Sequence, residues 1–166
     1  MAYAVKNIRV APLVLLVAML VAGCASPPPP PPPGVIELTL QAAADINPDA
    51  SGQAAPVVVR VYHLASPEKF SVADFFSLFD NDKAALGPDL ISRDEVSLTP
   101  GQTRTLTTPL EPKATIVGVV AAFRDIDHAT WRASIAVPEN GTTKLQANLT
   151  HLKVDLTKPA PPKPAS

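Results

Sequence analysis

Hydrophobic and polar residues alternate along most of this chain, which is the pattern of β-strands with one buried face. The clearest segment is Val57–Leu64, Val-Val-Val-Arg-Val-Tyr-His-Leu, in which β-branched and aromatic residues predominate. Its odd-numbered valines share one face, and Arg60 and Tyr62 lie on the other. Because apolar residues occur on both faces, the segment is predicted to be a central strand.

Seven further segments have strand-like patterns and are separated by turn-forming residues. Pro100-Gly101 and Glu139-Asn-Gly141 each lie between two such segments, so we expect a hairpin at both positions. The segments are residues 36–41, 94–98, 103–107, 115–124, 131–137, 145–149 and 152–156. Eight short strands at this spacing predict an all-β fold, an antiparallel β-sandwich over residues 35–157.

Residues 66–90 depart from the alternating pattern. Ser71 is placed to cap a helix in which Val72 and three phenylalanines recur at three- and four-residue spacing. A short second helix is predicted around residues 82–86, ended by Gly87-Pro88. The segment therefore predicts a small helical insert. Its aromatic face either docks the insert onto the sandwich, which is the simpler interpretation, or forms an exposed partner-binding surface.

Residues 1–23 have the organisation of a secretory signal peptide. Lys6 and Arg9 give a basic start, and Val10–Ala22 is an apolar segment of about 13 residues. At about 1.5 Å per residue, this segment would extend roughly 20 Å as a helix, less than a hydrocarbon core of about 30 Å. It ends in Val21-Ala-Gly-Cys24, which resembles the lipobox of bacterial lipoproteins, and Cys24 is the only cysteine in the chain.

The lipobox resemblance implies that Cys24 becomes the first residue after cleavage and carries a covalent diacylglycerol and an N-acyl chain. Such a set of acyl chains anchors a protein stably to a membrane. Ala25 follows the cysteine, where Asp would favour the inner membrane, so the outer membrane is expected. The alternative is an unmodified cysteine after an ordinary signal peptide.

Residues 24–34 are predicted to be a lipidated tether, because Pro27–Pro33 are seven consecutive prolines. Such a run adopts a stiff polyproline helix of about 3.1 Å per residue, although it could also be a ligand for a polyproline-binding domain. Residues 158–166 are predicted to be a flexible proline-rich tail. Removal of Lys6 and Arg9 leaves 12 basic against 15 acidic residues, a formal charge of about −3 that argues against nucleic-acid binding.

Residues with catalytic or metal-binding chemistry are not arranged in a recognisable site. The three histidines are far apart, and Asp125-Ile-Asp127-His128 falls at a predicted turn, where Asp commonly shapes the backbone. Asp80-Asn-Asp82 lacks the following Gly and Glu of a calcium loop. Neither a nucleophile elbow nor a glycine-rich phosphate loop is present in the sequence. The sequence therefore predicts a protein that is not an enzyme and binds no metal or cofactor.

Several ordered stretches of the chain carry a family resemblance. After the lipobox cysteine come Asn47-Pro48-Asp49-x-x-Gly52, Ala55-Pro-Val-Val-Val-Arg-Val-Tyr-His-Leu64, Phe70-x-x-Ala73-Asp74-Phe75, Leu86-Gly87, Pro100-Gly101, Val119-Val-Ala-Ala-Phe-Arg-Asp125 and Trp131-Arg132. Together they resemble the TssJ (VasD/Lip) lipoproteins of the type VI secretion system. The resemblance implies a transthyretin-like β-sandwich of two four-stranded sheets with a small helical addition.

The resemblance also implies a partner and a location. Such proteins lie in the inner leaflet of the outer membrane, with their domain in the periplasm. They bind the periplasmic C-terminal domain of TssM, and with TssM and TssL they complete the membrane complex. In the family, the loop between the first two strands contacts TssM, which corresponds here to residues 44–55. The expected contact residues are Asp45, Asn47, Pro48, Asp49, Ser51, Gly52 and Gln53.

Proline stiffens this loop and so reduces the entropy lost on docking, although the loop could simply connect two strands. Two other functions are compatible with a lipidated sandwich. One is a ligand-binding module for a small hydrophobic molecule, and the other is a pilotin-like or peptidoglycan-binding lipoprotein. Fold similarity alone does not choose among them.

Overall fold

The computed structural model describes residues 32–159, which form eight strands and three short helices. The strands are β1 (Val35–Ala42), β2 (Val57–Leu64), β3 (Leu90–Leu98), β4 (Thr103–Pro109), β5 (Ile116–Ala121), β6 (Arg132–Ala136), β7 (Thr142–Thr150) and β8 (Lys153–Thr157). The helices are α1 (Glu68–Val72), α2 (Phe75–Asp80) and α3 (Asp82–Leu86), followed by a 3-10 turn over Gly87–Asp89.

The strands form two four-stranded sheets, in the orders β4-β1-β7-β8 and β3-β2-β5-β6. The predicted β-sandwich is therefore confirmed, but one pairing differs from the expected antiparallel arrangement. Strand β1 runs parallel to β7, with Val35 opposite Thr142 and Ala42 opposite Leu149. Alternation of apolar and polar residues gives the buried face of a strand and not the direction of its neighbour, so the sequence pattern could not show this.

The main core lies between the inner faces of the two sheets. Leu38 and Leu40 of β1 are at most 1% exposed, and Val59 of β2 is completely buried on the opposite sheet. The even-numbered residues of β2 lie on its other face, where Tyr62 and Leu64 belong to a second apolar cluster. Strand β2 therefore packs on both faces, as its composition predicted.

Neither of the two predicted hairpins forms. Pro100-Gly101 does make a turn, in which the Gln102 amide donates to the Thr99 carbonyl at 3.0 Å and Gly101 has a φ of 76°. However, this turn connects β3 of one sheet to β4 of the other, and residues 139–141 similarly connect β6 to β7 across the sandwich. Turn residues specify a chain reversal, while the packing of the two sheets decides which strands then pair.

The helical insert covers the outer face of β2 and β5. Its buried apolar side chains are Phe70, Leu78 and Leu86, which pack with Tyr62, Leu64, Ile116 and Val120. The docking interpretation is confirmed for this buried face, while Val72 and Phe76 remain 82% and 63% exposed. The Phe70 ring packs over Gly118 of β5, where a Cβ would lie 2.7 Å from the ring Cζ.

The predicted Ser71 helix cap is wrong, because α1 has already ended when the next helix begins. Ala73 is extended, with a ψ of 145°, and Asp74 caps α2 by accepting a hydrogen bond from the Ser77 amide at 2.9 Å. The Ser71 hydroxyl instead donates to the Glu68 carbonyl within α1. The first amides of a helix lack acceptors within the helix, and the Asp74 carboxylate accepts from one of them in α2. A new helix therefore begins after Asp74, and the apolar residues of the predicted helix are divided between α1 and α2.

Candidate partner-binding surface

The β1–β2 loop, residues 43–56, is held in shape by the carboxylate of Asp49. One oxygen of this group accepts hydrogen bonds from the Ser51 amide at 2.9 Å, the Ser51 hydroxyl at 2.6 Å and the Gln53 amide at 2.9 Å. The hydrogen bond from the Ser51 hydroxyl, followed by that from the Gln53 amide, lowers the pKa of Asp49. Gly52 completes the turn with a φ of 81°. The loop is therefore preorganised in the free protein.

Asn47 fastens the base of this loop to two distant segments. Its side-chain amide donates to the Pro56 carbonyl at 2.7 Å, and its side-chain oxygen accepts from the Arg124 amide at 2.8 Å. Its own backbone amide donates to the His151 carbonyl at 2.8 Å. Asn47 is only 2% exposed and has a φ of 52°, a left-handed conformation that asparagine tolerates better than most residues.

The other predicted contact residues form the outer surface of the loop. Ser51, Gly52 and Gln53 are exposed, and Pro48 is half-buried. Asp45 is also exposed, and its carboxylate lies 3.6 Å from Nδ1 of His151. The structure thus brings the predicted residues together, but it separates Asn47, which supports the loop from inside, from the residues that a partner could touch.

Two segments that are distant in the sequence lie beside the β1–β2 loop. The β5–β6 loop, residues 122–131, and the β7–β8 turn, residues 151–152, line a groove of about 490 Å³ with the β1–β2 loop. The lining residues are Pro48, Asp49, Ala50, Arg124, Asp125, His151 and Leu152. Asn47 and Arg124 are 77 positions apart, so no local pattern in the sequence indicates their hydrogen bond.

Asp125 and His128, which lie in the predicted turn at residues 125–128, pair with each other. His128 Nδ1 lies 2.8 Å and 2.9 Å from the two carboxylate oxygens of Asp125, and this contact raises the pKa of His128. Within residues 32–159, no group of three or more His, Cys, Asp or Glu side chains could hold a metal ion.

The groove and the start of the domain lie at opposite ends of β1. Gly34 donates its amide to the Glu139 carbonyl at 2.9 Å, and Val35 pairs with Pro109 and Thr142. At the other end, the Ala43 amide donates to the Leu149 carbonyl at 2.8 Å, and the β1–β2 loop begins. At about 3.3 Å per residue, β1 separates the two ends by roughly 25 Å.

Three predicted features lie wholly or largely outside the described residues: the signal peptide, the lipidation site Cys24 with most of its tether, and the end of the proline-rich tail. Across the part of the chain that the structure describes, no helix is long and apolar enough to cross a membrane.

Comparisons with known proteins agree with the fold. Residues 35–155 match the family model described as type VI secretion lipoprotein, VasD, EvfM, TssJ. The T6SS lipoprotein TssJ1 from Pseudomonas aeruginosa is 40% identical, with a TM-score of 0.75, and the match covers 78% of this chain and 100% of that one. Lip from Serratia marcescens, described as a membrane-bound component of the type VI secretion system, is 30% identical, with a TM-score of 0.71 and coverages of 78% and 99%.

A third matched chain belongs to a structure described as the T6SS protein TssM C-terminal domain from EAEC. It is 29% identical, with a TM-score of 0.63 and coverages of 76% and 98%. No protein with a curated function matches this chain. The family model nevertheless matches nearly all of the sandwich, and two of the solved structures are at least 30% identical over their whole length. The chain therefore belongs to the TssJ (VasD/Lip) family of type VI secretion lipoproteins.

Proposed function

We propose that this chain is the outer-membrane lipoprotein subunit of a type VI secretion membrane complex. In this proposal, acyl chains on Cys24 hold the protein in the inner leaflet of the outer membrane, and residues 24–34 form the tether to the periplasmic domain. The domain binds the periplasmic C-terminal domain of TssM through the outer part of the β1–β2 loop. The TssM–TssL complex is thereby anchored to the outer membrane.

The match of residues 35–155 to the TssJ family is the observation that carries this proposal. Two similar solved structures add support, since one is described as the TssM C-terminal domain and the other as the type VI membrane complex. The geometry is compatible with both roles of the domain. The chain enters β1 at one end of the sandwich, and the β1–β2 loop extends from the other.

Calorimetric titration of the lipidated chain in detergent with the periplasmic domain of TssM tests the proposal. We expect a Kd in the micromolar range or tighter. A variant in which residues 49–53 are replaced by two glycines should lose most of this affinity, because it removes the exposed loop surface but retains Asn47. A matched control carries Glu111→Ala and Lys113→Gly in the β4–β5 loop, at the opposite end of the sandwich from the β1–β2 loop. Lys113 has a φ of 73°, which glycine adopts without strain.

The control variant should bind as the wild type does. If the wild-type chain is folded and does not bind TssM, the proposed function is wrong. If the loop variant is folded and binds with unchanged affinity, TssM contacts a different surface.

A further inference from the structure

The groove beside the β1–β2 loop is built from three segments that are far apart in sequence. Pro48 and Asp49 come from the β1–β2 loop, Arg124 and Asp125 from the β5–β6 loop, and His151 from the β7–β8 turn. Its volume of about 490 Å³ is enough for one or two side chains of a partner. In protein–protein interfaces, much of the binding free energy commonly comes from a few side chains that insert into such pockets and are surrounded on several sides.

The charges around the groove are not equivalent. Two carboxylates already have partners from this chain, since Asp49 accepts from Ser51 and Gln53 and Asp125 contacts His128. A third carboxylate, that of Asp45, lies 3.6 Å from Nδ1 of His151. Arg124 is exposed, and within residues 32–159 its side chain forms no salt bridge. The hydrogen bonds from Ser51 and Gln53 lower the pKa of Asp49 most, and the charge of Arg124 lowers it further by a smaller amount. A guanidinium has five donors in a planar arrangement that fits a carboxylate with two parallel hydrogen bonds.

We infer that the groove receives an acidic side chain of TssM, with Arg124 as a specificity-determining residue and Asn47 as the residue that positions it. This inference rests on the proposed function, since TssM is the partner in both. It extends the contact surface from one loop to three segments. The inference also specifies that the partner side chain in the groove is negatively charged.

The positioning role of Asn47 follows from its hydrogen bonds. Its side-chain oxygen holds the Arg124 amide at 2.8 Å, so the backbone that carries the guanidinium is tied to the base of the β1–β2 loop. Its backbone amide holds the β7–β8 turn through the His151 carbonyl. Because Asn47 is buried, removal of its side chain releases the Arg124 backbone from the base of the loop without removing a contact atom from the surface, and the backbone bond to His151 remains.

Charge reversal at Arg124 tests the specificity role, with the lipidated chain in detergent titrated against the periplasmic domain of TssM. We expect Arg124→Glu to weaken binding at least tenfold and Arg124→Lys to weaken it less, because lysine retains the charge but not the paired donors. Arg104→Glu is the matched control. Arg104 is an exposed arginine on edge strand β4, outside the groove, so its reversal makes the same change in net charge and should alter the Kd less than twofold.

A double-mutant cycle tests the positioning role. Asn47→Gly keeps the left-handed backbone accessible but removes both side-chain hydrogen bonds, and we expect it to weaken TssM binding about fivefold. In the Arg124→Ala background, the same substitution should have less than a twofold effect, since there is no guanidinium left to position. A general loss of stability would instead weaken binding equally in both backgrounds. Hydrogen exchange at the Arg124 amide should also accelerate in Asn47→Gly.

The outcomes separate this inference from the proposed function. If the wild-type chain does not bind TssM, both are wrong. If the wild-type chain binds and Arg124→Glu binds within twofold of it, the inference is overturned and the proposed function stands. If Arg124→Glu binds more tightly, the groove receives a basic side chain and the inferred sign is wrong. If Asn47→Gly has the same effect in both backgrounds, its positioning role is refuted.

Discussion

Replacement of Gly118 by alanine should destabilise this domain, although alanine usually stabilises a strand relative to glycine. Gly118 lies in β5 beneath the ring of Phe70, and an added Cβ would lie 2.7 Å, 3.0 Å and 3.1 Å from three ring atoms. The ring cannot easily move away, because Phe70 is 1% exposed and its centroid lies 5.6 Å from that of Tyr62. The methyl group therefore has to displace either the helical insert or strand β5.

The magnitude follows from two opposing terms. Alanine in the middle of a strand gains about 0.5–1 kcal/mol over glycine, because the unfolded chain loses less conformational freedom. Insertion of a methyl group into a tightly packed site costs about 1–3 kcal/mol. The midpoints of the two ranges differ by about 1 kcal/mol, so we expect Gly118→Ala to lower the free energy of unfolding by about 1 kcal/mol and the melting midpoint by roughly 3–6 °C.

Urea unfolding of Gly118→Ala, Phe70→Leu and the double variant measures this steric term directly. Leucine lacks the ring atoms that the added methyl group would meet, so Gly118→Ala should cost less in the Phe70→Leu background. The expected coupling between the two sites is about 1 kcal/mol, within the usual range for residues in contact. If Gly118→Ala is as stable as the wild type, or if its cost is the same in both backgrounds, contact with the Phe70 ring does not require glycine here.

Three further predictions concern buried polar groups and the anchor. Burial lowers the pKa of His63, whose Nδ1 has no hydrogen-bond partner within the described residues, so the folded state keeps the imidazole neutral. The unfolded chain binds a proton below the ordinary pKa of about 6.5, and stability should therefore fall as the pH drops below that value. Urea unfolding between pH 5 and pH 8 should show less of this dependence in His63→Leu, and equal dependence in both proteins would contradict it. Tyr62→Phe removes a buried hydrogen bond of 2.8 Å to the Leu78 carbonyl and should cost about 1–2 kcal/mol in the same assay; an unchanged midpoint would refute this. Cys24→Ser should give a folded, soluble protein that no longer supports secretion, and its recovery with outer membranes on fractionation would contradict the anchor.

Much of the fold follows from local patterns in the sequence. The alternation in β1 and the composition of β2 predicted which of their residues are buried, because a strand presents successive side chains to opposite faces. The parallel pairing of β1 with β7 and the change of sheet after residues 99–102 were not predictable in this way. Both depend on contacts between distant segments, and a turn motif such as Pro100-Gly101 carries no information about which sheet the next strand joins.

The candidate surface combines residues that the sequence indicated with others that it did not. The β1–β2 loop was identified from its family resemblance and its turn-forming residues, and the structure shows why Asp49 and Gly52 fit one conformation. Sequence alone did not indicate that Asn47 is buried, since asparagine in a loop is usually exposed. The association of Arg124 with the loop also depends on long-range contacts, which no spacing along the chain reveals.

The placement of β1 bears on how this protein would carry a mechanical load. A pull on the tether enters at Gly34, and a pull from a partner on the β1–β2 loop enters at Ala43, so the tension runs along the strand axis. Strand β1 is hydrogen-bonded along its length to β4 on one side and to β7 on the other. A load along the strand axis has to break the hydrogen bonds to β4 and β7 together. A load perpendicular to the axis of an edge strand would break its hydrogen bonds one after another. Under the proposed function, the load would act along the axis of β1, the direction that both sets of hydrogen bonds oppose.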